Sequence, residues 1–347
     1  MTPVATFPRV LVTDDSALMR RVLADGLAEH GLRVVGEASS GDQALDLCRD
    51  LLPDVLTLDL AMPGLDGVGV LRALRATASP VPVVVVSSFS NSSRAVEALA
   101  EGAIELVAKP APGDSLSGFM SDLAAKLRVA SESARSRLTP WRGAVTSPAR
   151  RHRDGTTRTV AETVTVIACS TGGPKALTQI LPALPSRLGA GGLIVQHMPA
   201  GFTRSFADRL NGASALRVAE AADGETIDGR TLWLAPGGSH LRVTEHGVLR
   251  LSDEPPLGGL RPRADLTIAD AARVFGERML LVVLTGMGRD GLKGAQEVKR
   301  RGGRVIAEAE SSCIVYGMPR AVIEDGLADA VVPLSEMSVA IVEEAGL

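Results

Sequence analysis

Short β-branched and aliphatic runs recur along the chain, separated by stretches in which apolar positions return every three or four residues. In the first third the runs are Val10–Thr13, Val34–Ala38, Val55–Leu58, Val83–Ser87 and Glu105–Val107, with helical patterns such as Ser16–His30 and Gly41–Leu52 between them. Strand, helix, strand at this spacing predicts a parallel sheet with right-handed crossovers. Five such units make a doubly wound α/β domain over residues 7–125. The alternation resumes at 161 and continues to 347, with strands expected at Val164–Ala168, Gly192–Val195, Thr231–Leu234, Met279–Leu284 and Arg304–Ala307. His240–Val243 and Val248–Leu251 flank the turn residues 244–247 and read as a β-hairpin. The second half is thus a second doubly wound α/β domain with some antiparallel decoration. Residues 126–160 hold Ser, Thr, Ala and eight arginines against only Glu132 and Asp154, which predicts a flexible or partly helical linker.

Composition narrows the function classes. The 347 residues suit two domains, and at 45% hydrophobic content they can bury substantial cores. No apolar run approaches the roughly 20 residues of a membrane helix, and the first residues, MTPVATFPRVLVTDD, lack a signal-peptide pattern. Three widely spaced cysteines, Cys48, Cys169 and Cys313, fit a reducing cytoplasm and argue against a disulfide framework or zinc cluster. A net charge of −3 and 3% aromatic residues disfavour nucleic-acid binding. An RNA-binding arm in the arginine-rich linker is the alternative there, although no aromatics interleave the arginines.

Polar residues cluster at the expected carboxyl ends of the first-domain strands, where open α/β sheets bind ligands. Asp14 and Asp15 follow the first strand, Asp59 the third, Ser87 ends the fourth, and Lys109 precedes Pro110 after the fifth. Converging carboxylates repel one another without a cation, and oxygen-only ligands favour a hard ion such as Mg²⁺. Lys109 and Ser87 would suit phosphoryl oxygens. Helix capping is the simpler reading of Asp14–Asp15 taken alone. The full set resembles the response-regulator receiver domain over about 120 residues. That resemblance implies that Asp59 accepts a phosphoryl group from a histidine kinase, that Asp14, Asp15 and Asp59 hold Mg²⁺, and that Ser87 and Lys109 are switch residues. Leu106 stands where many receivers carry a rotating Tyr or Phe.

In the second domain an apolar run breaks at Cys169 and Ser170 into Thr171-Gly172-Gly173-Pro174. A helix N-terminus there would favour an oxyanion, though a post-strand serine is also an ordinary cap. The stretch lacks the Walker pattern of a phosphate cradle and the elbow of α/β-hydrolases. A serine nucleophile needs a base, and His197 and His240 are the two histidines that follow strands of this domain. Asp290, in the glycine-rich loop after Leu280–Leu284, is a candidate orienting carboxylate, with Asp265 as its rival. Gly286 or Met287 could offer an oxyanion N–H. Cys169, at a strand end, is expected to point away from the face of Ser170.

Together the stretches STGGP, QHMP, LAPGG, LTGMGRDG and SCIVYGMPR resemble the catalytic domain of the chemotaxis protein-glutamate methylesterases, the CheB family. Receiver, linker and esterase is that family's architecture, so the resemblance spans nearly the whole chain. It implies Ser170 as nucleophile, His197 as base, Asp290 as orienter, and the backbone of Thr171 and Met287 as oxyanion donors. The implied reaction is phosphorylation-regulated hydrolysis of glutamyl methyl esters on methyl-accepting chemoreceptors, with deamidation of receptor glutamines at the same site and no metal in the esterase domain. The implied partners are those receptors and a chemotaxis-type histidine kinase; neither nucleic acid nor membrane insertion is expected. One departure from the family is Cys169, where many members carry Ala. The rival readings are a receiver-controlled binding module without turnover and a receiver-linked transcription regulator, the latter requiring a helix-turn-helix that the second half does not suggest.

Overall fold

The computed structural model describes residues 7–77, 81–138 and 163–345, and the chain folds as two separate units. In the first, β1 (Arg9–Thr13), β2 (Arg33–Ala38), β3 (Val55–Leu58), β4 (Val83–Ser87) and β5 (Glu105–Ala108) alternate with α1 (Ala17–Glu29), α2 (Gly41–Leu51), α3 (Gly67–Arg75), α4 (Ser92–Ala100) and α5 (Leu116–Leu138). The strands pair in parallel in the order β2-β1-β3-β4-β5. Every residue of β3 and β4 is buried, as strands covered by helices on both faces must be. Ser16, Ser40 and Asp66 cap α1, α2 and α3 by accepting N–H bonds three residues on.

The helix α5 continues through residues 126–138, where a linker is expected from composition. Its buried stripe of Phe119, Leu123, Leu127 and Ala130 keeps helical spacing past residue 125, but small residues make that stripe faint. The remainder of the expected linker, 139–160, lies outside the described residues.

The second unit contains β6 (Val164–Cys169), α6 (Gly173–Ile180), β7 (Gly191–Gln196), α7 (Thr203–Ala213), β8 (Arg217–Glu220), β9 (Thr231–Leu234), β10 (His240–Val243), β11 (Leu249–Ser252), α8 (Ala264–Phe275), β12 (Met279–Val283), α9 (Leu292–Arg300), β13 (Arg304–Glu308), α10 (Met318–Glu324), β14 (Ala330–Val332) and α11 (Leu334–Ala345). Seven strands form a parallel sheet in the order β14-β13-β12-β6-β7-β9-β8. The antiparallel hairpin β10–β11 stands apart, as its turn chemistry predicts. The sheet grows from β6 through β7 in one direction and through β12 in the other. The carboxyl ends of β6, β7 and β12 therefore adjoin a topological switch point, where a crevice opens in doubly wound sheets.

Candidate active site and acidic pocket

Ser170, His197 and Asp290 follow β6, β7 and β12, three adjacent strands. Cys169 pairs with Gln196 in register, so Ser170 and His197 each lie one residue beyond a matched pair. Ser170 N–H donates to Thr285 O (3.0 Å), and His197 N–H to Cys169 O (3.1 Å), which fixes both turns on the sheet. The loop after β12 presses closely on the serine. A Cβ at Gly286 would lie 2.8 Å from Ser170 Cβ and 2.4 Å from Met318 Sδ, so only glycine fits.

His197 Nε2 lies 2.7 Å from Asp290 Oδ2. An ionised carboxylate can only accept, so Nε2 carries the proton and Nδ1 is left as the basic nitrogen. Burial opposes ionisation of Asp290, yet the hydrogen bond from His197, the charge of that ring when protonated, and backbone donors hold its carboxyl well below the usual carboxylate range. Those donors are Ala264 N–H (2.7 Å) and Asp265 N–H (3.0 Å), in the first turn of α8, and Gly291 N–H (3.0 Å). The positive end of a helix thus stabilises the anion. Among the described residues Ser170 Oγ makes no hydrogen bond to His197. Such contacts are commonly long before substrate binds.

The rivals separate cleanly. His240 is fully buried, with Nδ1 accepting from Arg263 N–H (3.2 Å) and Nε2 against Pro255 O (3.2 Å), so both ring nitrogens have structural work. Asp265 Oδ1 instead accepts N–H bonds from Gly291 and Gly294, both 2.9 Å, at the start of α9. Each carboxylate caps the other's helix: Asp290 holds the start of α8, and Asp265, itself on α8, holds the start of α9. Burial first and the Asp290 charge second raise the pKa of Asp265. Arg263 bridges the two, its guanidinium 3.0 Å from Asp265 and 3.2 Å from Asp290. Cys169 is fully buried, and desolvation, then the Glu308 charge, push its thiol far above the ordinary value, so it is no thiolate nucleophile.

Of the oxyanion candidates, Gly286 N–H donates to Val315 O (3.0 Å) and is engaged. Among the described residues the N–H groups of Thr171 and Met287 have no such backbone acceptor. Residues not singled out by sequence reasoning support this corner. Thr285 N–H donates to the buried Glu308 carboxylate (2.8 Å) and its hydroxyl to Thr171 O (3.0 Å), while Val315 N–H donates back to that hydroxyl (2.9 Å). A Thr and a Glu at the ends of adjacent apolar strands are the signal that would have found them.

In the first unit Asp14, Asp15 and Asp59 converge at the ends of β1 and β3, the switch point of that sheet. One oxygen from each lies within 4.8 Å of the others. Lys109 Nζ is 2.7 Å from Asp14 Oδ2 and 2.8 Å from Asp59 Oδ2. Burial weakens the ammonium, but the two carboxylates outweigh it and keep its proton above the usual value. Burial raises the Asp14 pKa despite Lys109, and its Oδ2, though ion-paired, has no well-directed hydrogen bond. A buried oxygen beside two further carboxylates fits a hard divalent cation. Asp59 Oδ1 accepts Leu60 N–H (2.7 Å). Ser87 is fully buried at the end of β4, its hydroxyl 3.5 Å from Ser88 O, and Leu106 is packed inside.

Comparison with known proteins bears on both units. The CheB methylesterase family model matches residues 165–341, and the response regulator receiver domain model matches 10–119. A protein-glutamate methylesterase/protein-glutamine glutaminase of Symbiobacterium thermophilum is 43% identical and covers 97% of each chain. One from Myxococcus xanthus is 44% identical over 95% of each. The crystal structure of the CheB methylesterase catalytic domain of Thermotoga maritima superposes with a TM-score of 0.51 at 43% identity, covering 52% of this chain and 98% of that one.

Proposed function

The chain belongs to the CheB methylesterase family, with a response-regulator receiver domain preceding the esterase, and from that premise we propose that Ser170, His197 and Asp290 hydrolyse glutamyl methyl esters on chemoreceptors under control of phosphorylation at Asp59. The observation that carries the reading is the 2.7 Å His197–Asp290 bond one strand away from Ser170.

Ser170 Oγ attacks the ester carbonyl while His197 Nδ1 takes its proton, and Asp290 stabilises the resulting imidazolium. The tetrahedral oxyanion receives the free N–H groups of Thr171 and Met287. The imidazolium returns its proton to the leaving methoxide, methanol departs, and water activated by the same histidine releases the glutamate. An amide passes through the same tetrahedral geometry, so receptor glutamine is deamidated with ammonia as the leaving group. The assay that tests this follows methanol from a methylated receptor fragment and ammonia from its glutamine form. Stoichiometric binding without either product would replace the enzyme with a binding module.

In the receiver, Asp14, Asp15 and Asp59 would hold Mg²⁺, which when bound offsets the charge of an incoming phosphoryl group. Asp59 would be the acceptor, and Lys109 and Ser87 would bind the phosphoryl oxygens. A histidine kinase of the chemotaxis type is the donor, and the cytoplasm is the compartment. Among the described residues no helix is long and apolar enough to cross a membrane.

Two results follow. Chelation of Mg²⁺ should abolish labelling of the full chain by a small phosphodonor, and readdition should restore it; labelling that ignores chelator would remove the metal role. The same phosphodonor should raise the rate of methanol release by the full chain, and leave the Asp59→Asn protein unchanged. An equal response from both would mean that Asp59 does not carry the control.

A further inference from the structure

We propose that Gln196 is a positioning residue for the ester hydrolysis, its side-chain amide fastening the turn that carries Ser170 to the turn that carries His197; the proposal rests on the serine–histidine reading above. Gln196 ends β7, a strand otherwise of glycine and aliphatic residues, and is fully buried. Its Nε2 donates to Ser170 O (3.1 Å) and to His197 O (2.9 Å). One amide group therefore holds the main chain of both residues whose side chains must meet.

The orientation of that amide is dictated by its partners. Reversed, Oε1 would face two carbonyl oxygens, which offer no proton. As it stands, Oε1 is buried and accepts no hydrogen bond among the described residues. Burial of an unpaired acceptor is a cost that an apolar side chain of the same length would avoid. The two donated bonds are what the amide adds. The neighbouring helix is also shaped around it: a Cβ at Gly173, the first residue of α6, would lie 2.0 Å from Oε1.

The Ser170 peptide is consequently held at both ends. Its N–H donates to Thr285 O, while its carbonyl accepts from Gly173 N–H (2.7 Å) and Gln196 Nε2. The peptide of His197 is tied to Cys169 O through its N–H and to Gln196 through its carbonyl. With both backbones fixed to one rigid group, the approach of Oγ to Nδ1 is set by side-chain rotation alone. Rates are sensitive to such alignment, because reacting groups must meet within a narrow range of distance and angle.

The test uses the full chain with Gln196→Met, which keeps length and apolar bulk but donates nothing, and Gln196→Glu, which places a carboxyl oxygen against the two carbonyls. Methanol release is normalised to active sites counted with a serine-directed phosphonate, so a partly unfolded sample does not imitate the effect. Loss of two hydrogen bonds predicts a fall in kcat of about ten- to a hundredfold for Gln196→Met, a larger fall for Gln196→Glu, and a KM near that of the wild type. A Gln196→Met protein with wild-type kcat per active site, beside an inactive Ser170→Ala protein, would overturn the proposal and leave the serine mechanism standing. A Ser170→Ala protein that still turned over would overturn the serine reading itself.

Discussion

Replacing Ser170 with Ala is expected to reduce methanol release by on the order of a millionfold in kcat, with His197→Ala close behind, the loss found when such residues are removed from serine-triad hydrolases. The size follows from what is lost: without Oγ no acyl-enzyme forms, and without the ring no group takes the proton. The fold should survive the serine change, because the bonds that hold residue 170 run through its backbone N–H and carbonyl. Melting temperature and receptor binding should therefore match the wild type. Asp290→Asn should lose less, roughly ten-thousandfold, because an amide beside Nε2 permits the wrong tautomer without removing the base. If His197→Ala kept its rate, the base would have to be another group, but His240 has both nitrogens occupied and is no ready substitute.

Asp59→Asn will eliminate incorporation of phosphoryl label, because an amide oxygen is too weak a nucleophile to replace a carboxylate. The variant should fold normally: an asparagine oxygen can still accept Leu60 N–H, and Lys109 retains Asp14. Labelling equal to that of the wild type would point to a different acceptor.

The central parallel strands were legible because both of their faces are buried, which leaves unbroken apolar runs such as residues 83–86 and Met279–Val283. Polar residues just beyond those runs were legible for the same reason, and so Ser170, His197, Asp290 and the acidic residues of the receiver could be singled out. The two edge strands of the larger sheet, Arg217–Glu220 and Ala330–Val332, were not. They are short and only partly buried, so their patterns do not differ from loop. The extension of α5 was hidden by alanine and serine on its inner face. The reciprocal capping of Asp265 and Asp290 joins residues 25 apart in sequence, and no local pattern encodes it. Gln196 was visible as a polar residue ending an apolar strand, but its bond to Ser170 depends on how β6 and β7 pair.

The claim that Ser170 is the nucleophile of an esterase is tested most directly by trapping it. The wild-type chain is treated with a phosphonate analogue of a glutamyl ester, with and without methylated receptor fragment, and the adduct is located by peptide mass spectrometry. One adduct per chain is expected, on Ser170, suppressed by the receptor fragment, with methanol release falling in proportion to its formation. An adduct on any other residue, or a fully modified protein that still releases methanol at the original rate, would contradict it.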